Sequence, residues 1–411
     1  MSATKPKILI LGGGFGGLFT SLGLVDTFEV TLVNDADHFL FKPMLYEYFS
    51  GEVEEWHIAP KYKEILDEKI RFMQTEVSAI DLSAQEVTLK SRQNVLQYDI
   101  LVLALGGVTN YANVEGAEKF AIPFRRIVDA DLLRRRMQAA LDQTPPDLPP
   151  EETRRKLTFA VVGAGASGVE LSTKMADLLV DAFKRRALTG EPRVMVIEMG
   201  DKVVPGMGDD IREFVAAALQ RARVEVHTRT RVIQIDEKAI TLESDGQLTE
   251  IESAAVVWTG GVRVNPVIES LDIQKTRSNL ILVKPTLQVA SYDNVFALGD
   301  IALYPDASPI LAGTAQLAVQ EAGLAERNIR AFLKGEELET KHFEELGEAV
   351  SLGTDHAAVL IRGKAFGGPL ARQARFALYT SRLPTWQHRL RVGASWFFEG
   401  TTPRPLLPLG L

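Results

Sequence analysis

The sequence predicts an α/β fold: two Rossmann-like dinucleotide-binding domains and a distinct C-terminal segment. Two stretches, KILILGGGFGGLFTSLGL at 7–24 and LTFAVVGAGASGVEL at 157–171, each run from an apolar strand through glycines into a helix. In both halves, further apolar strands alternate with helical stretches, as a parallel sheet covered on both faces requires. This repetition of one plan indicates an internally duplicated nucleotide-binding fold.

Each glycine stretch fits the pattern G-x-G-x-x-G between a strand and a helix. In the first stretch, Gly12 allows a tight turn and Gly14 allows a pyrophosphate to approach the backbone. Gly17 allows the helix to pack closely on the strand, and the helix N-terminus offers N–H groups to the phosphates. In the second stretch the same three places are taken by Gly163, Gly165 and Gly168.

We call each glycine turn, together with the start of the helix that follows it, a cradle. The residue that ends the second strand of each unit distinguishes the two cradles. In the second unit Glu198 ends RVMVIE, and a carboxylate there binds ribose hydroxyls and repels a 2′-phosphate, favouring NADH over NADPH. In the first unit Asn34 takes this place and Asp35 follows it. Either Asn34 binds the ribose or Asp35 is shifted into that role.

Two cradles followed by VFALGD at 295–300 predict two dinucleotides, FAD in the N-terminal unit and NADH in the second. Asp300 is expected to bond a polar group of the flavin, and its alternative role is a helix N-cap. The proline-rich stretch TPPDLPPEE is typical of a linker. We therefore expect an FAD-binding domain at 1–143 and 263–333, a linker at 144–156, an NAD(P)H-binding domain at 157–262 and a C-terminal membrane or dimer segment at 334–411.

Composition excludes several kinds of chemistry. The chain has no cysteine, which excludes disulfides, a thiolate nucleophile and cysteine-held zinc or iron–sulfur clusters. Its six histidines are scattered without ligand spacing, so we expect no protein metal site. The net charge of −8 argues against nucleic-acid binding. The residues before the first strand predict no signal peptide, and no apolar run is long enough for a transmembrane helix.

The order of seven motifs resembles the type II NAD(P)H:quinone dehydrogenases, a family within the two-dinucleotide flavoproteins. The motifs are GGGFGGL, HFLFKPMLYE, LALGGVTN, GAGASGVEL, VWTGGV, FALGD and GTAQLAVQEA. The C-terminal stretches LGEAVSLGTDHA and RLPTWQHRLRVGASWF are similar to a subgroup of cyanobacteria and plant plastids that reduces demethylated naphthoquinones on the way to phylloquinone. Disulfide reductases and sulfide:quinone reductases of the same superfamily need redox cysteines, which this chain lacks.

The resemblance implies an oxidoreductase that passes a hydride from NADH, or NADPH, to FAD and two electrons to a membrane quinone such as demethylphylloquinone, without proton pumping. It also implies a peripheral membrane protein on the cytoplasmic face, at the thylakoid or plasma membrane if the chain is cyanobacterial. The residues that it assigns to FAD are Gly12, Gly14, Phe15, Gly16, Gly17, Asn34, Lys42, Gly299, Asp300, Ala315 and Gln316. Those assigned to NADH are Gly163, Gly165, Gly168 and Glu198.

Three residues are candidates for a catalytic role. Gln316 and Gln320 lie one helical turn apart beside the small Ala315, and the resemblance carries the family's quinone motif onto them. Glu170 follows the second cradle, where the resemblance implies proton handling or substrate gating near flavin and quinone; it could instead serve only the helix dipole. Tyr46, in FKPMLYE, could line the flavin cavity beside Lys42 or belong to the core.

The C-terminal segment is basic and aromatic. From Ile361 to Arg404 it holds eight Arg or Lys residues and one acid, Glu399. One predicted helix has one face of Arg372, Arg375, Tyr379 and Arg382 and an apolar face of Leu370, Ala374, Ala377 and Leu378; the next repeats Trp386, Leu390, Gly393 and Phe397. Such helices lie in lipid headgroups. A homodimer interface or a lid on the second domain would explain the pattern as well.

Two other functions are compatible with this scaffold. One is a soluble flavoprotein reductase that serves a protein electron carrier, which would have a protein-binding patch and no dependence on lipid. The other is a redox-inactive nucleotide sensor, which would bind NADH without catalytic cycling. The intact cradles and AQLAVQ argue against the sensor, and the soluble reductase stays open as an alternative.

Overall fold

The computed structural model describes residues 5–91, 94–305 and 313–399. The strands are β1 Lys7–Leu11, β2 Glu29–Asn34, β3 Arg71–Gln74, β4 Val77–Asp81, β5 Glu86–Leu89, β6 Val95–Gln97, β7 Ile100–Leu103, β8 Gly107–Thr109, β9 Ile122–Pro123, β10 Thr158–Val162, β11 Arg193–Ile197, β12 Glu225–His227, β13 Thr230–Ile235, β14 Ala239–Ser244, β15 Gln247–Glu252, β16 Ala255–Trp258, β17 Val262–Val264, β18 Ile281–Leu282, β19 Gln288–Val289, β20 Tyr292–Ala297, β21 Ala302–Leu303, β22 Glu348–Ser351, β23 Ala357–Ile361 and β24 Lys364–Gly368.

The helices separate these strands, and two short 3-10 helices, Lys42–Met44 and Gly299–Ile301, accompany them. The α-helices are α1 Phe15–Leu24, α2 Leu45–Ser50, α3 Glu55–Ile58, α4 Tyr62–Ile65, α5 Ala117–Phe120, α6 Ile127–Asp142, α7 Pro150–Lys156, α8 Ala166–Arg186, α9 Asp209–Arg221, α10 Pro266–Glu269, α11 Ala315–Lys334, α12 Pro369–Ser381 and α13 Trp386–Glu399.

The chain divides into two compact units. The first comprises the chain up to Leu40, Ala59–Val108 and Val262–Leu346. Its main sheet has the order β19-β20-β7-β1-β2-β3, and β1 lies between β2 and β7 with parallel pairing on both sides. Because the strand order reverses at β1, the carboxyl ends of β1 and β7 border the crevice where such sheets bind ligands.

The second unit comprises Phe41–Ile58, Thr109–Gly261 and the chain from Gly347 onwards. Its main sheet has the order β12-β11-β10-β16-β9, and β10 lies between β11 and β16 with parallel pairing. The side chains of β10 and β16 are buried throughout, as expected of strands covered on both faces. The prediction of two Rossmann-like units in an α/β fold is confirmed.

The boundaries of the units differ from the predicted domains. Residues 109–143 belong to the second unit because β9 pairs in parallel with β16 at the edge of its sheet. Residues 41–58 belong to it as well. Within the predicted linker, residues 150–156 form α7, because Pro150 is tolerated in a first helical turn. Acids at its start and bases at its end complement the helix dipole.

The C-terminal part of the second unit is a three-stranded antiparallel sheet, β22-β23-β24, followed by α12 and α13. Buried Ala357 and Val359 of β23 form a small core with Ala371 of α12. The small side chain of Ala371 lets the helix approach the sheet closely. Across the described ranges, no helix is both long enough and apolar enough to span a bilayer.

Candidate active site

The two glycine turns have the same backbone geometry. Gly12 has φ +98° and Gly163 has φ +99°, a region that residues with a side chain rarely adopt. The Gly12 N–H donates to the carbonyl of Val33, and the Gly163 N–H donates to that of Ile197, each at 2.8 Å. Each turn is thus bound to the last part of the neighbouring strand, β2 or β11, in the same way.

The other two glycines of each cradle serve different purposes. A Cβ on Gly17 or Gly168 would overlap the carbonyl oxygen of the first glycine of its own turn, so these positions allow close helix–strand packing. A Cβ on Gly14 or Gly165 would meet nothing within 4 Å. The helices α1 and α8 begin at the next residue, which leaves their first N–H groups beside that open space. Both cradles therefore fit a pyrophosphate.

Asn34 and Glu198 occupy matching positions beneath the two turns. The Gly13 N–H donates to Asn34 Oδ1, and the Ala164 N–H donates to Glu198 Oε2, each at 2.8 Å. Asp35 is exposed and its Oδ1 accepts a hydrogen bond only from the next residue along the chain, among the bonds that the structure describes. The structure therefore places Asn34, rather than Asp35, at the first cradle.

Tyr62 also holds the first turn, a role that no sequence pattern indicated. Its buried hydroxyl donates to the carbonyl of Gly13 at 2.6 Å, and a Cβ on Gly13 would overlap that hydroxyl. The ring of Tyr62 packs on Phe72, with centroids 4.6 Å apart. Burial raises the pKa of Tyr62, so its hydroxyl stays a donor at any physiological pH. Asn34 and Tyr62 together bind both backbone polar groups of Gly13, its N–H and its carbonyl.

Three other predicted flavin residues lie in different settings. Phe15 packs edge-to-face on Phe39, with ring centroids 5.1 Å apart. A Cβ on Gly16 would press against the side chain of Leu298, so Gly16 allows α1 to pack closely within the first unit. Lys42 is exposed and belongs to the second unit. The structure therefore shows packing roles for Phe15 and Gly16, and it places Lys42 on a different unit from the first cradle.

Gly299 and Asp300 form a turn directly after β20. Gly299 has φ +75°, and Asp300 lies half-buried inside the 3-10 helix that begins at Gly299. Leu298, rather than Asp300, precedes that helix, so Asp300 is not an N-cap. The Gly299 N–H donates to Oε2 of Glu321 at 2.7 Å. Burial raises the pKa of Glu321, which has no exposed surface, to about 7. The motif GTAQLAVQEA contains Glu321, yet its role was not predicted.

Gln316 and Gln320 lie one helical turn apart on α11, as the predicted helix required. Gln320 binds Glu344 twice: its Nε2 donates to the Glu344 carbonyl at 2.9 Å, and its Oε1 accepts from the Glu344 N–H at 3.1 Å. Oε1 of Gln316 accepts from the N–H of Leu346. Both glutamines therefore hold a segment of their own unit. A quinone carbonyl at Gln320 would have to compete with these backbone bonds.

Glu170 is the fifth residue of α8 and is buried. Its Oε1 accepts hydrogen bonds from the Ser351 N–H at 2.8 Å and from Nη2 of Arg375 at 2.9 Å. The effect of a helix dipole is concentrated in the first turn, so a role limited to the dipole does not explain Glu170. Burial raises the pKa of Glu170 to about 7, although Arg375 pulls it down. A carboxyl with such a pKa can exchange a proton near neutral pH.

Glu170 is part of a buried ionic cluster that joins α2, α8 and α12. Its other members are Glu47, Glu52, Lys174, Arg372 and Arg375, so three acids face three cations. Nη1 of Arg375 binds Oε1 of Glu47 at 2.6 Å, and Lys174 binds Glu52. Burial alone would raise the pKa of Glu47, but Arg375 and Lys174 outweigh it and hold that pKa below its usual value.

This cluster corrects the predicted orientation of α12. Arg372 and Arg375 were expected on the cationic face of a membrane-bound helix, but both are buried in ion pairs: Arg372 with Glu52, which follows α2, and Arg375 with Glu47 of α2 and Glu170 of α8. Buried guanidinium groups need such partners, and the glutamates that supply them are far away in the sequence. Of the predicted arginine face, Arg382 is exposed. Tyr46 packs in the core, stacked on Phe124 with centroids 5.4 Å apart.

The opposite side of the C-terminal helices is apolar and accessible. Leu370 on α12 is 79% exposed. On α13, Trp386, Leu390 and Phe397 are 68%, 64% and 82% exposed, and their spacing places them on one stripe of the helix. Gly393, predicted on the same stripe, is half-buried. The predicted apolar face of α13 is therefore found at the surface of the described part of the second unit.

Comparison with known proteins decides the family. A family model described as pyridine nucleotide-disulphide oxidoreductase matches residues 6–322. The chain belongs to this family. The family's name refers to a redox disulfide, which a chain without cysteine cannot form. All seven sequence motifs, from GGGFGGL to GTAQLAVQEA, lie within the matched residues.

Individual relatives show which members of the family the chain resembles. The chain is 36% identical to the demethylphylloquinone reductase NdbB of Synechocystis sp., with 96% of each chain covered. It is 32% identical to the type II NADH:quinone oxidoreductase NdhA of Mycobacterium tuberculosis, with 95% of this chain and 86% of that one covered. The structure of NDH2 from Plasmodium falciparum in complex with NADH has the same fold, with TM-score 0.84 at 20% identity and coverage of 97% and 100%. The predicted resemblance to the type II NAD(P)H:quinone dehydrogenases is confirmed.

Proposed function

We propose that the chain is an FAD-dependent NAD(P)H:quinone oxidoreductase. The observation that carries this proposal is the presence of two cradles with the same backbone geometry, one in each unit. One dinucleotide site would serve a simple dehydrogenase, whereas two sites serve a chain that holds a flavin and a nicotinamide nucleotide together. The names of the relatives, which include type II NADH:quinone oxidoreductases, support the same reaction.

In this proposal FAD binds the first unit. The N-terminus of α1 binds the pyrophosphate beside Gly14, and Asn34 and Tyr62 keep the turn in place. Asp300 accepts a hydrogen bond from the flavin side of the cofactor. FAD, when bound, supplies the two-electron chemistry between nicotinamide and quinone. The protein contributes binding, orientation and the placement of protons.

NADH binds the second unit. The N-terminus of α8 receives the pyrophosphate beside Gly165. Glu198 bonds the ribose hydroxyls while it holds the turn through Ala164 and Gly200, whose N–H groups donate to its two oxygens at 2.8 Å each. A 2′-phosphate would be repelled by this carboxylate, so NADH is preferred to NADPH.

The electron acceptor in this proposal is a lipid-soluble naphthoquinone such as demethylphylloquinone, which is the substrate that the name of the Synechocystis relative indicates. Reduction of a quinone consumes two protons. Glu170 is suited to supply one, because its pKa of about 7 leaves it partly protonated at neutral pH. Gln316 and Gln320 bind a quinone carbonyl after exchanging their bonds to the segment at 344–346.

We also propose that the C-terminal helices bind the membrane surface. Leu370, Trp386 and Leu390 are large apolar side chains in contact with water, and Arg382 and Arg389 are exposed nearby in sequence. Such a face inserts at the boundary of headgroups and acyl chains, and each arginine near an anionic surface adds about 1 kcal/mol. A membrane is favoured over a second copy of the chain because the proposed substrate dissolves in lipid.

The experiment is steady-state turnover of the purified protein with and without liposomes. We expect a flavin absorption spectrum, NADH oxidation coupled to a demethylnaphthoquinone, and slower turnover with plastoquinone and benzoquinone analogues. Anionic liposomes should increase the rate and retain the protein. A colourless protein that gains no activity on added FAD would overturn the proposal.

Three other outcomes each contradict part of the proposal. Faster reduction of a ferredoxin than of any naphthoquinone, with no effect of lipid, would indicate the soluble reductase. Bleaching of the flavin by NADH without turnover would indicate a sensor. A concentration-dependent dimer that shields the α13 stripe and does not bind liposomes would replace the membrane with a second copy of the chain.

A further inference from the structure

A second buried carboxyl, Glu321, lies in the first unit beneath the turn that carries Asp300. Glu321 is on the second turn of α11 and has no exposed surface. Its Oε2 accepts a hydrogen bond from the Gly299 N–H at 2.7 Å. Its Oε1 is fully buried and has no hydrogen-bond partner among the described residues. One side chain thus binds the backbone of the turn through one oxygen and leaves the other buried and unpaired among the described residues.

Within the described residues, the groups that act on this carboxyl are the Gly299 N–H and Asp300, and no cation is among them. Helix α1, with the sequence FGGLFTSLGL, packs along α11 and has no charged residue. The 3-10 helix Gly299–Ile301 contacts α11 as well, and its charged residue is a second acid, Asp300. An ionised Glu321 would therefore be a buried charge with one backbone donor and a like charge beside it. Both effects favour the protonated form.

We propose that Glu321 is a positioning residue for the flavin, which holds the Gly299–Asp300 turn while its carboxyl carries a proton and loosens that turn when it ionises. The proposal rests on the proposed binding of FAD by the first unit. The carbonyl oxygen of a neutral carboxyl still accepts from the Gly299 N–H, so the turn stays bound. Ionisation either draws water to Oε1 or forces the groups around it to rearrange. The backbone next to Glu321 is the turn that presents Asp300, so this turn is what loosens.

The direction of the pH effect follows from the protonated form. Burial raises the pKa of Glu321 to about 7, above its ordinary value of 4.5. The stabilising effect of its proton is present at low pH and is lost as the pH rises through the folded-state pKa. FAD affinity should therefore be constant below about pH 6 and should fall by up to about tenfold per pH unit above about pH 7.

The experiment measures release of FAD from the holoenzyme by the fluorescence of free flavin, from about pH 5.5 to about pH 8.5. The variant Glu321→Gln keeps an acceptor for the Gly299 N–H and cannot ionise, so its FAD dissociation constant should not change with pH. Glu326→Gln on the same helix is the matched control. Glu326 is partly exposed and pairs with Arg330, so this variant should retain the wild-type pH profile.

A second readout does not depend on flavin release. Infrared difference spectra of the wild-type protein should contain the carbonyl band of a buried carboxylic acid that disappears as the pH rises through about 7, and Glu321→Gln should lack it. The aspartate of Glu321→Asp is too short to reach the Gly299 N–H, so this variant should release FAD faster at every pH. It tests the role of Glu321 if Glu321→Gln does not fold.

The outcomes separate this inference from the proposed function. Bound FAD with the same pH profile in wild-type protein and Glu321→Gln would overturn the inference and leave the function intact. Absence of the infrared band would also overturn it. A protein that binds no flavin at any pH would overturn the proposed function and this inference with it.

Discussion

The sharpest prediction for the ionic cluster concerns Arg375→Met. The methionine fills much of the volume of the arginine but leaves Glu47 and Glu170 without their shared cation. Arg375 is 2% exposed, and it contacts these two glutamates at 2.6 and 2.9 Å. Removing one partner of a buried ion pair costs about 3–5 kcal/mol. Since folded proteins are stable by about 5–15 kcal/mol, the loss should be easy to measure.

The pH dependence of that loss identifies its cause. Without Arg375, the folded-state pKa of Glu170, which burial already raises, rises further, and the pKa of Glu47 rises as well because it loses the strongest charge that lowers it. A carboxyl with a raised folded-state pKa favours the folded protein while it is protonated at low pH. This stabilisation of the fold is lost as the pH rises through the folded-state pKa. The deficit of the variant relative to the wild-type protein should therefore be smallest near about pH 5 and largest above about pH 8.

The assay is urea unfolding followed by circular dichroism at both pH values, with saturating FAD because ligands shift apparent stability. Arg382→Met, on an exposed arginine at the end of the same helix, should change the free energy of unfolding by less than about 0.5 kcal/mol. Adding Glu170→Gln to Arg375→Met should restore part of the loss. A deficit below about 1 kcal/mol, or one that does not change with pH, would refute the role given to the cluster.

Three further predictions concern the cradles and the C-terminal face. Tyr62→Phe removes one buried hydrogen bond of about 0.5–1.5 kcal/mol, so FAD should bind about 2- to 10-fold more weakly by equilibrium titration. Equal affinity for FAD would contradict the role of Tyr62 in holding the first turn. Glu198→Ser should raise the ratio of kcat/KM for NADPH over NADH by about tenfold or more, and an unchanged ratio would remove Glu198 from that role. Trp386→Ser with Leu390→Ser should lower sedimentation with anionic liposomes without changing flavin content, and unchanged binding would place the membrane contact elsewhere.

The cradles could be predicted because their chemistry is local. A turn with positive φ needs glycine, a close helix–strand contact needs glycine, and both needs fall within six residues of one strand. The pattern therefore identifies strand, turn and helix together, and the strands that pair with β1 and β10 follow from their apolar runs.

The rest of the site depends on residues that are distant in the chain. Tyr62 binds Gly13 across 49 residues, and Arg375 binds Glu47 across 328. A helical period reveals that α12 has two faces, but not which of them is buried. Arg372 and Arg375 were placed on the cationic face of a helix at the membrane surface, and the position of Glu47 on α2, Glu52 just after it and Glu170 on α8 shows instead that both are buried. The predicted domain boundaries differ from those of the two units for the same reason, since β9 pairs with a strand far along the chain.

The two buried acids with a pKa of about 7, Glu170 and Glu321, differ in the charges that surround them, and we therefore expect different roles for them. Glu170 lies against Arg375, so a lost proton leaves a charge that a cation already faces. Glu321 lies beside Asp300, and no cation is among the groups that act on it within the described residues, so a lost proton leaves a charge that the turn must accommodate by moving. Equal pKa values therefore have different consequences: Glu170 can exchange protons without structural cost, whereas ionisation of Glu321 is coupled to the backbone that presents Asp300.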